Sequence, residues 1–298
     1  MNYHETVLLN ESIKGLEVRP GGTYVDATFG GGGHSIEILK SLENGKLIAF
    51  DQDEEANANK INDERFTLVN ANFRFLKNFL MYYKVLPVDG IIADLGISSH
   101  QIDNAERGFS VRFEADLDLR MNRKNKVNAR NVLAEYSEEA LRKLFFEFGE
   151  LKQAYKIAKT IVEKRKDKAI VTLDDLKNTI GQFAERGKEN KFYAKVLQSL
   201  RIEINDEMNS LKELLMQSID VLKPGGRLVV IAYHSLEDRL VKNIMKTGNF
   251  EGAVEKDFYG NEKVPLKVVT RQPIVPGPDE IERNKRARSA KLRIAVKN

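Results

Sequence analysis

The chain has 298 residues, 42% hydrophobic and 31% charged, enough for a sizeable core and for about two domains, or one domain with a large insertion. It has no cysteine, which excludes disulfides, thiolate-bound metals, iron–sulfur chemistry and thiol nucleophiles. The net charge is only +4, yet residues 120–130 carry five Lys/Arg and residues 283–293 carry six, with no acid in either, leaving about −7 over the rest.

Positive charge gathered in this way suits a phosphate-rich partner met at particular places, and two solvated loops would look the same. No apolar run approaches the ~20 residues of a membrane-spanning helix. The opening MNYHETVLLNESIKGLEV lacks the basic and apolar regions of a secretory signal. The expected address is the cytoplasm, with no membrane partner.

Four apolar runs mark the first hundred residues: 23–29 (TYVDATF), 46–53 (KLIAFDQD), 66–73 (FTLVNANF) and 88–98 (VDGIIADLGIS). Each is bounded by turn residues and reads as a buried strand. Between the first two, Ile36, Leu39 and Leu42 share one helical face, with a stop at Gly45. Strand, glycine turn, helix, strand is a βαβ unit, so this region is α/β with a parallel sheet.

From about residue 103 to 210 the pattern is helical. SEEALRKLFFEFGE has Ser137 as a candidate N-cap, a second segment starts at Thr172, and a stripe runs through Phe192, Val196, Leu200, Ile204, Met208, Leu211 and Leu215. The strand pattern returns at 222–235, and VVTRQP and AKLRIAV suggest a closing pair. The expectation is therefore an α/β domain (1–103 and 211–298) carrying an inserted helical domain (104–210).

The glycine turn TFGGGGHS (28–35) narrows the ligand. No Lys-Ser or Lys-Thr follows, which argues against a P-loop. A dinucleotide fingerprint finds Gly30 and Gly32 but meets Ser35 at its third glycine, so NAD is weakly supported. The Tyr155/Lys159 spacing of short-chain dehydrogenases falls in the insert and is expected about once by chance. S-adenosylmethionine fits better, because Asp51 stands about 20 residues after the turn, where an acid meets ribose hydroxyls. Asp53, nearby, reads as a solvated turn acid. Phe73 could stack on an adenine, and Asp94 closes the fourth strand, where open α/β sheets place ligands and chemistry.

Several motifs in order, HETVLLNES, YVDATFGGGGHS, DLGISSHQID with AERGFS, DLDLRMN, LQSLRIEIND, AYHSLEDR and NKRARSAKLR, cover nearly the whole chain. In these the sequence resembles the MraW/RsmH family of bacterial 16S rRNA (cytosine-N4) methyltransferases. The resemblance implies a Rossmann-like class I methyltransferase sheet, mostly parallel with an antiparallel C-terminal strand, and an inserted substrate-recognition domain. It implies S-adenosylmethionine contacts at Gly32, Gly33, His34, Asp51, Phe73, Asp94 and Gln101, the last found by the resemblance alone. The implied partner is 16S rRNA within the small ribosomal subunit. The chain departs from the family pattern at Gly31 and Gln52 (usually Arg), at His100 (usually Pro), and at Asn284-Lys285-Arg286 (usually Asn-Pro-Arg).

The residue types restrict the chemistry further. Without cysteine, methylation of cytosine C5 through a thiol adduct and radical methylation are both excluded, leaving a nitrogen or oxygen target. The exocyclic amine of cytosine is a poor nucleophile and needs an acceptor for its N–H, which Asp94 or a following carbonyl could supply. Asp94 and His234 are the catalytic candidates. His234 and Ser235 are adjacent and cannot form a hydrolase dyad on extended chain. His4, His34, His100 and His234 show no ligand spacing, so no metal is expected. Arg107, Phe109, Arg112 and Arg120 are the candidates for RNA contact. Methylation of another nucleic-acid or protein nitrogen, or a non-catalytic RNA-binding assembly factor, are the alternatives. The oligomeric state stays open, a homodimer among the options.

Overall fold

The computed structural model describes residues 5–298, so His4 lies outside the described residues. The chain divides into two compact units, one formed by residues up to 96 with 208–298, the other by 97–207. The sequence reading set these boundaries at 103/104 and 210/211.

The first unit opens with α1 (Leu9–Leu16), β1 (Thr23–Asp26), α2 (Gly33–Ser41), β2 (Lys46–Phe50), β3 (Phe66–Val69), α3 (Leu76–Tyr82) and β4 (Val88–Asp94). The second holds α4 (Ser99–Asp103), α5 (Ala129–Glu135), α6 (Glu138–Glu147), α7 (Ala154–Lys164), α8 (Leu173–Ile180) and α9 (Glu189–Ile204). The chain returns through α10 (Glu207–Val221), β5 (Leu222–Ala232), α11 (Ser235–Thr247), β6 (Leu266–Val268), α12 (Pro278–Arg283) and β7 (Lys291–Lys297).

The seven strands form one sheet in the order β3-β2-β1-β4-β5-β7-β6. The first five are parallel, and β7 runs antiparallel to both β5 and β6. Strand order reverses between β1 and β4, so their carboxyl ends flank the crevice where such sheets bind ligands. Both faces are apolar because side chains alternate across the sheet. Val25, Ile48, Phe50, Ile91, Ala93, Leu228 and Val230 meet α3, α10 and α11 on one face. Tyr24, Leu47, Ala49, Ile92, Val229 and Ile231 meet α1 and α2 on the other. The α/β expectation is met.

Several expected strands overran their real ends. The run 23–29 stops at Asp26 because Asp26 accepts Thr28 N–H and turns the chain. The run 88–98 stops at Asp94, and the pairing expected at 268–273 sits instead at Leu266–Val268.

The second unit is built by its own apolar cluster, including Leu133, Phe145, Ile157, Ile161, Leu176 and Leu200. Ser137 caps α6 by accepting from Ala140 N–H, and Thr172 forms a capping box with Asp175 at α8. The apolar stripe 192–215 is not one helix. It breaks at Asn205 and Asp206, where Asp206 has φ +48°. Asn205 is buried, its amide donating to the carbonyls of Leu119 and Arg201 and accepting Met121 N–H. Among the described residues, no helix is long and apolar enough to cross a membrane.

Candidate active site

The glycine turn leaves β1 and enters α2 with little side chain in the way. Gly30 (φ +52°) donates its N–H to Asp51 Oδ2 at 2.8 Å, so the turn is tied to the end of β2. Gly32 (φ +79°) stands at the N-cap of α2 and has no side chain to satisfy the first-turn N–H groups. A Cβ on Gly33 would lie 1.8 Å from Thr6 Oγ1, and one on Gly32 3.0 Å from the Phe29 ring. At Gly31 a Cβ would meet nothing within 4 Å. His34 is buried; burial holds its imidazole down at about 4 against a hydrogen bond to the Val7 backbone. It is neutral, and its Nε2 has no partner among the described residues.

Three carboxylates stand at strand ends around this turn. Asp26, at the end of β1, is 1% exposed, accepts the Ser35 hydroxyl at 2.7 Å, and is pushed up to about 6 by burial. Asp51, following β2, is pushed up by burial to about 6 although it accepts N–H groups of Gly30 and Asp53. Asp94, ending β4, is raised furthest, to about 7, first by burial and then by the neighbouring acids Asp26 and Glu237, against a hydrogen bond from Tyr233. Tyr233 O–H donates to Asp94 Oδ1 at 2.8 Å, and Asp94 N–H donates to Thr28 Oγ1 at 2.6 Å. A cation beside these acids would offset the burial and mutual repulsion that hold them up, so the cluster suits a positively charged ligand. The orphaned His34 nitrogen, the bare turn and this acidic rim together fit a cationic, nucleoside-bearing ligand.

The remaining candidates divide. Phe73 follows β3 in a half-buried turn, packed against the core. Asp53 is 6% exposed and caps the next turn by accepting Glu55 N–H; the solvated acid read from sequence is therefore buried, though structural. His234 is the N-cap of α11. Its Nδ1 accepts Glu237 N–H at 3.4 Å, while Glu237 accepts N–H groups from Tyr233 and His234. His234, a catalytic candidate in the sequence, here caps a helix.

The sequence profile of the MraW methylase family matches residues 1–298. The chain belongs to the MraW methylase family. It is 57% identical to the ribosomal RNA small subunit methyltransferase H of Flavobacterium johnsoniae, across 100% of this chain and 98% of that protein. Its identity to the protein of the same name from Christiangramia forsetii is 56%, over 100% and 98%. Among solved structures, it is similar to an rRNA methylase from Streptococcus thermophilus, with 13% identity, a TM-score of 0.43 and coverage of 98% and 97%.

In the second unit of this MraW-family methylase, the residues expected to touch RNA do different things. Arg107 has 0% exposure and donates from Nη2 to the carbonyls of Arg120 and Met121. Phe109 is 8% exposed and packs in the unit's core, with the Arg107 guanidinium 5.8 Å from its ring centroid. Both expectations are corrected: Arg107 has no surface to offer a phosphate, and Phe109, held in the core, has too little for a base to stack on. Arg120 pairs with Asp118 at 2.7 Å and donates to the carbonyls of Arg123 and Asn125, so it shapes the basic loop. Arg112 is exposed, 3.7 Å from Asp103. Gln101 is buried and forms a capping box with Ser98.

Sequence reading missed Asp26 and Tyr233 in this methylase. Asp26 carried a signal, since an acid inside YVDATF must be partnered if the strand is buried. Tyr233 carried none: it stands two residues past Ile231, whose pairing with Asp94 only the folded sheet reveals.

Two measurements follow from the turn and its acids. Gly32→Ala is expected to cost about 1–2 kcal/mol through its left-handed φ, whereas Gly31→Ala should stay within about 0.5 kcal/mol, both read by thermal melts. Acids with raised folded-state pKa stabilise the fold fully below about pH 4, and that contribution is lost as pH rises through the folded value. The Tm of Asp94→Asn relative to the parent is therefore expected to rise from about pH 4 to about pH 7. A constant difference would show that Asp94 is not raised.

Proposed function

We propose that this methylase transfers a methyl group from S-adenosylmethionine to N4 of a cytidine in the decoding centre of 16S rRNA. The observation that carries the reading is Asp94: a strand-end carboxylate beside the glycine turn, oriented by a phenol and raised to about 7, where an amine proton needs an acceptor. The absence of cysteine removes the thiol route to carbon. The relatives' name, ribosomal RNA small subunit methyltransferase, supports the substrate class.

When bound, the cofactor supplies an electrophilic sulfonium methyl. Gly32, Gly33 and the first turn of α2 would present backbone N–H groups to its anionic end, and Asp51 would receive ribose hydroxyls. Phe73 would flank the adenine, and Gln101 would be the further contact that the family resemblance implies. Asp94 accepts the hydrogen bond of the amine, drawing N4 toward a tetrahedral, nucleophilic form. Phosphates are met by exposed cations, Arg112, Arg123, Lys124 and Lys126 of the second unit and Lys285 and Arg288 of the first.

The test is incubation with methyl-labelled cofactor and small subunits lacking the modification, followed by mass spectrometry of the nucleosides. Label on N4-methylcytidine is the expected result. Label on any other nucleoside, or on protein, overturns the assignment.

A further inference from the structure

Asp94 and Tyr233 come from neighbouring parallel strands. Asp94 lies opposite Ile231 in the β4/β5 register, and Tyr233 is two residues further on, so its side chain leaves on the same side as that of Ile231. Its hydroxyl reaches Asp94 Oδ1 at 2.8 Å and leaves Oδ2 without a partner among the described residues. The Tyr233 backbone is itself held, its N–H donating to Glu237 Oε2 at 2.9 Å. Gly96, two residues beyond Asp94, carries no side chain where a Cβ would sit 3.7 Å from the Tyr233 ring.

We propose that Tyr233 is a positioning residue of methyl transfer: its hydroxyl pins Oδ1 of Asp94, so that Oδ2 is the atom offered to the N4–H of the target amine. This rests on the N4 reading above. In the step it serves, the N4 lone pair forms the N–C bond and the C–S pair stays with sulfur. One N4 proton passes to Oδ2 and from there to water.

A phenol donating to one oxygen also favours the ionised carboxylate that must accept that proton. It acts against two acids that face Asp94, Asp26 from the end of β1 and Glu237 from α11. Burial and the charges of Asp94, Glu237 and Glu280 hold the Tyr233 hydroxyl far above its ordinary value, so it remains a donor through the working range.

The test is Tyr233→Phe, which keeps the ring. At pH 7 kcat is expected to fall about fivefold, with the KM for RNA and cofactor changed less than about twofold. The acid limb of the kcat profile should move up by about one pH unit, so the variant regains most of the parent rate near pH 9. In an Asp94→Asn background the same change should have no further effect. Independently, carbon-13 NMR of the Asp94 carboxyl in the free protein should show its titration midpoint raised in Tyr233→Phe. An equal loss at every pH, or an unmoved titration, overturns the proposal. A parent that labels no N4 sinks the N4 reading instead, and the carboxyl titration still decides whether Tyr233 controls Asp94.

Discussion

Asp94→Asn is expected to lower methyl transfer by roughly 10²–10⁴-fold, the range that a positioned proton acceptor contributes. The substitution is nearly isosteric, and the amide oxygen can still accept from Tyr233, which donates at 2.8 Å in the parent. What is lost is the ability to take a proton. Cofactor affinity, measured by calorimetry, should change less than about tenfold, because Asp51 and the first turn of α2 keep their places. A variant with full rate and unchanged affinity would remove Asp94 from both roles. One with full kcat but weakened binding would leave it as a cofactor ligand only. The melting comparison between pH 4 and pH 7 checks that the same variant is folded.

Arg107→Ala is expected to destabilise the protein by about 3 kcal/mol, from a cavity at a fully buried side chain and two carbonyls left without donors. Its guanidinium ties the residues after Leu119, itself at φ +61°, to the turn that follows α4. Denaturant unfolding would show the loss as a lower midpoint with an unchanged slope. A direct phosphate contact makes the opposite forecast: unchanged stability, with RNA binding that depends less steeply on salt. Arg112→Ala should behave in this second way, since its side chain is exposed.

Arg107 also shows where sequence runs out. In AERGFS it has the look of a surface cation, and only its tertiary neighbours reveal it as a support for the backbone. The central parallel strands were legible because they are largely apolar on both faces, which no amphipathic helix imitates. Their ends were not, since Asp26 and Asp94 stop them through bonds to a turn and to a tyrosine distant in sequence. The break at Asn205 was hidden for the same reason: the 3.6-residue stripe continues across it, while the bonds that fix it come from Leu119 and Met121. Asp51 was readable because its distance from the glycine turn is set by one βαβ unit, a local quantity. Tyr233 was hidden by the whole second unit lying between β4 and β5.

That separation bears on biosynthesis. β4 finds its neighbour β5 only after every residue of the second unit has left the ribosome, whereas the second unit is one uninterrupted segment with its own apolar cluster. Contacts distant in sequence close slowly, and domains fold largely in order of synthesis. The helical segment is therefore expected to acquire protease resistance on the nascent chain while β1 to β4 remain an open half-sheet, with apolar faces and an unpaired β4 edge. Limited proteolysis of chains stalled near residue 240, where the second unit has emerged and β5 has not, and of the released protein would show this order, and early protection of β1 to β4 in the stalled chain would refute it. The sheet of this methylase thus closes only after the second unit and β5 have both been synthesised.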